Sequence, residues 1–168
     1  MTKQEFQRAF QDHKDAVYGF ALRMTGSVQV AEDVAQDCFV ELLHRPSRFD
    51  PARGLMRQYL LGMARNLVFR YWRTSRRLDP IEDDARSDTP DFMAGPIASL
   101  VEVAVQSLPP LQREALLLFE YEGFTLEEIG QLVNADVGTV KSRLHRAREK
   151  LRYLLAPLRN GSGGYQNG

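Results

Sequence analysis

Apolar residues recur at steps of three and four along most of the chain. Between residues 6 and 24 the positions Phe6, Ala9, Phe10, Val17, Phe20, Ala21 and Met24 fall on one helical face, with only His13 polar among them. That spacing predicts an amphipathic helix. Thr2 followed three residues later by Glu5 is a capping-box pair at its start, and Gly26 can take the left-handed turn that ends it. Ser27 then caps a second helix running to about His44. Its inward stripe is Ala31, Val34, Ala35, Cys38 and Leu42, which leaves Glu32, Asp33, Gln36, Asp37 and Glu41 facing outward. Residues 45–54, with Pro46, Pro51 and Gly54, read as a loop. Helical periodicity resumes over 55–77 through Tyr59, Leu60, Met63, Leu67 and Tyr71. Three such stripes can enclose one small core.

The pattern then breaks. Residues 79–96 hold Asp79, Glu82, Asp83, Asp84, Asp88 and Asp91 against Arg86 alone, interleaved with Pro80, Pro90, Gly95 and Pro96, the composition of a flexible acidic linker. Beyond it, 97–106 predicts a short helix and Pro109-Pro110 starts another, since proline suits the first helical turn. Gly123 stops that helix. Thr125 with Glu128 forms a second capping box, and Phe124 with Ile129 can close a hydrophobic staple around it. The helix so begun ends near Asn134, a residue that tolerates the left-handed conformation. Asp136 caps the next helix, whose Val137, Val140, Leu144, Ala147 and Leu151 form one stripe. The result is a helix, a short turn and a helix.

No segment alternates as a strand would, so the chain is expected to be all-α. The expected organisation is two small helical domains, 1–78 and 97–160, joined by the linker 79–96, with the second domain carrying the helix-turn-helix. Residues 161–168, rich in glycine and without an apolar stripe, are expected to be disordered.

Composition narrows the function. Hydrophobic residues are 43% and charged residues 26%, and no apolar run approaches the ~20 residues that cross a bilayer, so no membrane insertion is expected. The polar start of the chain lacks a secretory core, which places the protein in the cytoplasm. Cys38 is the one cysteine and cannot form an internal disulfide; it lies on an apolar stripe and reads as packing. His13, His44 and His145 are dispersed, so neither a metal nor a cofactor is expected. No nucleophile-base pair or phosphate loop appears, and the chain does not read as an enzyme.

Net charge is zero, yet the charge is segregated. Arg65, Arg70, Arg73, Arg76 and Arg77 lie in a stretch without an acid, and Lys141, Arg143, Arg146, Arg148, Lys150 and Arg152 oppose only Glu149. A helix-turn-helix presents the early residues of its second helix to the major groove. Here these are Thr139, Lys141, Ser142, Arg143 and Arg146, all off the buried stripe. Arg143 and Arg146 suit base or phosphate contacts; the bland alternative is a solvated basic helix packed on its neighbours. In the earlier helix, Arg65, Asn66, Arg70, Arg73, Arg76 and Arg77 are interleaved with Phe69, Tyr71 and Trp72, a mixture that suits phosphates and unstacked bases. Tyr71 lies on the apolar stripe and is assigned to the core, while Phe69 and Trp72 are left open.

At these residues the chain resembles a known family. The run Val137-Gly138-Thr139-Val140-Lys141-Ser142-Arg143-Leu144-His145-Arg146-Ala147-Arg148, preceded by Thr125-Leu126-Glu127-Glu128-Ile129, resembles region four of extracytoplasmic-function RNA polymerase sigma factors of the sigma-70 family. Ala31-Glu32-Asp33-Val34-Ala35-Gln36-Asp37-Cys38-Phe39 is similar to region two of the same family, and Ala64-Arg65-Asn66-Leu67 to the helix after it. The resemblance implies that Glu32, Asp33, Gln36 and Asp37 dock on the coiled coil of the largest subunit of core RNA polymerase. It implies that the loop from Arg48 to Arg53 and the helix carrying Arg65, Asn66, Arg70, Trp72, Arg73, Arg76 and Arg77 engage and melt the minus-ten element of promoter DNA. The helix-turn-helix would read the minus-thirty-five element, and an anti-sigma factor would be a further partner. Two positions depart from the family pattern: Tyr59 stands where a tryptophan is usual, and Arg70 where an aspartate is common. Two other readings stay open, a two-domain regulator without polymerase contact and a mimic that occupies regulators without touching DNA.

Overall fold

The structure, a computed structural model, describes residues 1–76 and 98–161; Arg77, the linker expected at 79–96 and the tail from 162 onward lie outside the described residues. Every regular element among the described residues is helical. In order they are α1 (Lys3–Thr25), α2 (Val28–His44), a 3₁₀ turn (Pro46–Arg48), α3 (Met56–Arg76), α4 (Ala98–Gln106), α5 (Pro110–Leu116) continued by a π turn (Leu117–Tyr121), α6 (Leu126–Val133), α7 (Val137–Leu154) and α8 (Ala156–Gly161). They divide into two compact units, one built on α1–α3 and one built on α4, α5, most of α6, α7 and α8.

In the first unit the caps do what the sequence requires of them. Thr2 and Glu5 exchange side-chain and backbone bonds, with Glu5 N–H donating to Thr2 Oγ1 at 3.1 Å and Thr2 N–H to Glu5 Oε2 at 2.6 Å. Gly26 sits at φ 68° and its N–H donates to the Leu22 carbonyl, closing α1. Ser27 Oγ accepts from Val30 N–H at 3.2 Å and starts α2 one residue later. The three helices pack on one another around Val17, Phe20, Ala21, Met24, Ala31, Val34, Cys38, Leu42, Leu60, Leu61, Ala64 and Val68, all buried. Burial pushes the Cys38 thiol up to about 12, with Asp37 adding to the effect, so the group stays a neutral thiol at physiological pH.

Two parts of the expected stripes are corrected. Phe10 is 41% exposed; it lies at the rim, where its ring meets Phe39 edge to face at 5.0 Å. On α3 the buried line is Leu60, Leu61, Ala64, Val68 and Trp72, not the line through Met63, Leu67 and Tyr71. At 100° per residue the two lines are about a quarter turn apart. Tyr71, assigned to the core, is therefore exposed, and Trp72, assigned to the minus-ten surface, is buried.

The second unit is organised around α5 and the π turn that continues it, in which every residue from Gln112 through Leu118 is buried. Arg113 is 1% exposed, and its Nη2 donates to the carbonyls of Gln106 at 2.6 Å and Leu108 at 2.8 Å. Gln106 is the last residue of α4, so a buried guanidinium caps the C-terminal end of that helix, where carbonyls lack intrahelical donors and a cation is favoured. Gly123, at φ 70°, ends the π turn. Thr125 N–H then donates to Glu128 Oε1 at 2.9 Å and Glu128 N–H to Thr125 Oγ1 at 3.1 Å, which sets α6. The tight turn after α6 depends on two residues. Asn134 takes φ 57°, and Gly130 lies so close to the turn that an added Cβ would come within 2.6 Å of the Ala135 carbonyl oxygen. Asp136 Oδ1 accepts from Thr139 N–H at 2.7 Å and opens α7. That bond holds the Asp136 carboxyl below its ordinary range. α7 packs on α5 and α4 and buries Val140, Leu144 and Ala147. The short α8 was not expected from the sequence.

Candidate nucleic-acid interface

On α7 the residues expected to meet DNA stand on the side away from the buried line. Lys141, Ser142 and Arg146 are exposed; Thr139 and Arg143 are half-buried at the edge of the same surface. Ser142 and Arg146 are one turn apart, and Thr139, Arg143 and Arg146 follow one another at i, i+4 and i+7. Two further side chains on this helix are engaged within the unit. Arg148 Nη2 bonds Glu120 Oε1 at 2.9 Å and its guanidinium lies 5.2 Å from the centre of the Phe119 ring, while His145 Nε2 stands 3.2 Å from Glu149. Near that Arg148–Glu120 pair an open groove of about 890 Å³ is lined by Val101, Val105, Leu116, Leu151 and Leu155, which sequence periodicity places on separate helices and does not bring together.

On α3 the structure splits the expected minus-ten set. Asn66, Arg70 and Arg73 are exposed and fall at i, i+4 and i+7, so they make one polar face. Arg65 lies at its border with the guanidinium 4.1 Å from the centre of the Phe69 ring, and Phe69 meets Trp72 edge to face at 5.3 Å. Phe69 and Trp72 are 6% and 7% exposed, so these rings support Arg65 from beneath rather than offering a platform to a base. Arg76 ends α3.

The loop between α2 and α3 is tied at several points. Arg48 Nη1 is 2.9 Å from Glu41 Oε1, and Arg45 Nη1 reaches the same oxygen at 3.8 Å. Arg53 Nε stands 3.8 Å from Asp50 Oδ2, and Asp50 Oδ1 accepts from Ala52 N–H at 3.0 Å. Phe49 packs on Tyr59 of α3 with ring centres 5.5 Å apart. Burial, with Glu41 close by, raises the Tyr59 phenol above its ordinary value. Periodicity alone assigns Glu41 no part in this loop, although it stands seven residues before Arg48 on the last turns of α2.

On α2 itself Glu32, Asp33, Gln36 and Asp37 are all exposed and share one face, with Gln29 Nε2 bonded to Asp33 Oδ1 at 3.1 Å. Val40 and Leu43, 43% and 54% exposed, continue that face toward the C-terminal end of the helix. Among the described residues no group of His, Cys, Asp and Glu is arranged to hold a metal ion, and no helix is long and apolar enough to cross a membrane.

Comparison with known proteins places both units in one family. Residues 9–78 match the Sigma-70 region 2 family and residues 99–151 match the Sigma-70, region 4 family. The chain is 34% identical to the RNA polymerase sigma factor CarQ of Myxococcus xanthus over 158 residues, 91% of this chain and 90% of CarQ. It is 31% identical to the ECF RNA polymerase sigma factor SigE of Mycolicibacterium smegmatis over 86% of this chain, and spans 59% of the length of SigE. The fold is also that of the sigma factor RpoE in its co-crystal with the anti-sigma factor NepR from Bartonella quintana. The TM-score is 0.71 at 23% identity, over 91% of this chain and 98% of RpoE. With both regions matched in order and a relative covered nearly end to end, the chain belongs to the extracytoplasmic-function group of the sigma-70 family of RNA polymerase sigma factors.

Proposed function

We propose that this sigma factor binds core RNA polymerase, directs it to promoters and assists their melting, with a separate surface for each task. The observation that carries the reading is the sorting of charge by face in a chain of zero net charge. Acidic and amide groups occupy one face of α2, and basic groups occupy exposed faces of α3 and α7. The α2 face suits the basic side of a coiled coil on the polymerase, where complementary charge fixes register and speeds encounter. The α7 face, at the start of the second helix of a helix-turn-helix, suits duplex DNA at the minus-thirty-five element. Asn66, Arg70 and Arg73 of α3, with Arg65 beside them, suit the backbone of the minus-ten strand. A flipped base there costs a few kcal/mol of stacking that the protein has to offset. Trp72 leaves that set because it is buried.

The protein works as a binding subunit without chemistry of its own, in the cytoplasm with the polymerase. An anti-sigma protein, the kind of partner that RpoE of Bartonella quintana has in its co-crystal, is a further proposed partner.

Asp33→Arg tests the docking surface. Because Asp33 is exposed, the variant is expected to fold, and its affinity for core polymerase is expected to fall on the order of tenfold or more. Unchanged affinity in a binding titration would remove α2 from the polymerase interface. Arg146→Ala tests the DNA surface. Its binding to a duplex minus-thirty-five site is expected to weaken by about 1–3 kcal/mol, with a shallower dependence on salt if the lost contact is to phosphate. Unaltered binding across a salt series would assign Arg146 to the solvated face of the helix.

A further inference from the structure

We infer that Glu41 is a positioning residue that restrains the loop between α2 and α3 and so sets how selectively that loop meets DNA; this rests on the promoter reading above. The loop carries Arg45, Arg48 and Arg53 against Asp50, a strongly cationic segment for its length. Electrostatics alone would favour leaving those arginines free, because each unpaired cation near a phosphate strengthens binding to any DNA. Instead the carboxylate of Glu41 reaches up from α2, bonds Arg48 at 2.9 Å and stands 3.8 Å from Arg45. It thereby subtracts from the attraction to DNA.

Nor is the carboxylate placed for stability. The Arg48 side chain is 59% exposed and that of Glu41 32%, and ion pairs so open to water contribute little to folding. What the pair does supply is direction. Arg48 is aimed back along α2, Phe49 is pinned on Tyr59 of α3, and the Asp50–Ala52 bond closes the turn between them, so the loop is fixed to both helices before DNA arrives. A phosphate must offer Arg48 better geometry than Glu41 does, which a correctly opened strand can do and an arbitrary one does less well. Some affinity is given up in exchange for discrimination.

The test uses the full chain bound to core polymerase and a labelled fork-junction DNA whose non-template minus-ten strand is single-stranded, in preferred and scrambled sequence, over a salt series. With Glu41→Gln, binding to the scrambled strand is expected to rise about three- to tenfold. The salt dependence should steepen by about one charge, and the preferred-to-scrambled ratio should fall. The thermal midpoint and polymerase affinity should stay unchanged. In an Arg48→Ala background the same substitution is expected to have little further effect on the ratio. A ratio and salt slope that Glu41→Gln leaves untouched would overturn the inference, as would an equal effect with Arg48 absent. If the wild-type complex itself fails to distinguish the two strands, the promoter reading falls and takes this inference with it.

Discussion

Replacing Trp72 with alanine is expected to destabilise the unit built on α1–α3 by about 3–5 kcal/mol, the range for deleting a large aromatic side chain from a packed core. The indole is 7% exposed and lies edge-on to Phe69, whose other neighbour is the Arg65 guanidinium at 4.1 Å. Removing it opens a cavity beside the Phe69 ring on which that arginine rests. Denaturant unfolding followed by circular dichroism measures the loss. Trp72→Phe keeps most of the volume and should cost much less, while leaving single-stranded DNA affinity close to wild type. If the indole were a stacking platform the order would reverse. Stability would barely move, and DNA binding would drop by the ~1–3 kcal/mol that one base–aromatic stack supplies. Trp72 is the single tryptophan of the chain, so its fluorescence reports the same distinction: a buried indole is shielded from iodide with or without DNA.

Arg113→Ala is expected to be comparably severe in the second unit, about 3 kcal/mol or more. The side chain is fully enclosed, and its Nη2 holds the Gln106 and Leu108 carbonyls. Truncation leaves those acceptors buried without that donor and leaves a void the size of a guanidinium stem. Arg113→Lys retains the charge but not the planar fork, so it should recover only part of the loss. Thermal unfolding of the two variants beside wild type checks the order. A near-neutral Arg113→Ala would mean that α4 does not depend on this cap.

Much of the fold was legible because local signals agreed with one another. The Thr2–Glu5 and Thr125–Glu128 boxes, the Ser27 and Asp136 caps and the left-handed residues Gly26, Gly123 and Asn134 all fall where the sequence puts them. These devices act within a few residues, so no knowledge of tertiary partners is needed. What failed was the phase of a stripe on a helix apolar on more than one side. α3 offers Met63, Leu67 and Tyr71 as well as Leu61, Ala64, Val68 and Trp72, and only packing against α1 and α2 decides between the two lines. The spacing of the second set at three and four residues was present in the sequence and could have been preferred.

Arg113 was illegible for a different reason. A buried arginine is uncommon, and the Gln106 and Leu108 carbonyls that its Nη2 holds are backbone groups, which the sequence does not display. By its spacing Glu41 is one more outward acid of α2. Its pairing with Arg48 crosses a loop whose path no periodicity describes. The exposure of the α2 acids and of Lys141, Ser142 and Arg146 on α7 was legible because exposed positions follow directly from a correctly phased stripe. Where the phase was wrong, on α3, tyrosine and tryptophan changed places.

The most direct test of the account is initiation itself. Purified chain added to core RNA polymerase on a template library should yield transcripts from discrete start sites, each preceded by shared elements near minus thirty-five and minus ten and absent when the chain is omitted. Transcripts that are unchanged by the chain, or a chain that does not join the core enzyme at all, would contradict it.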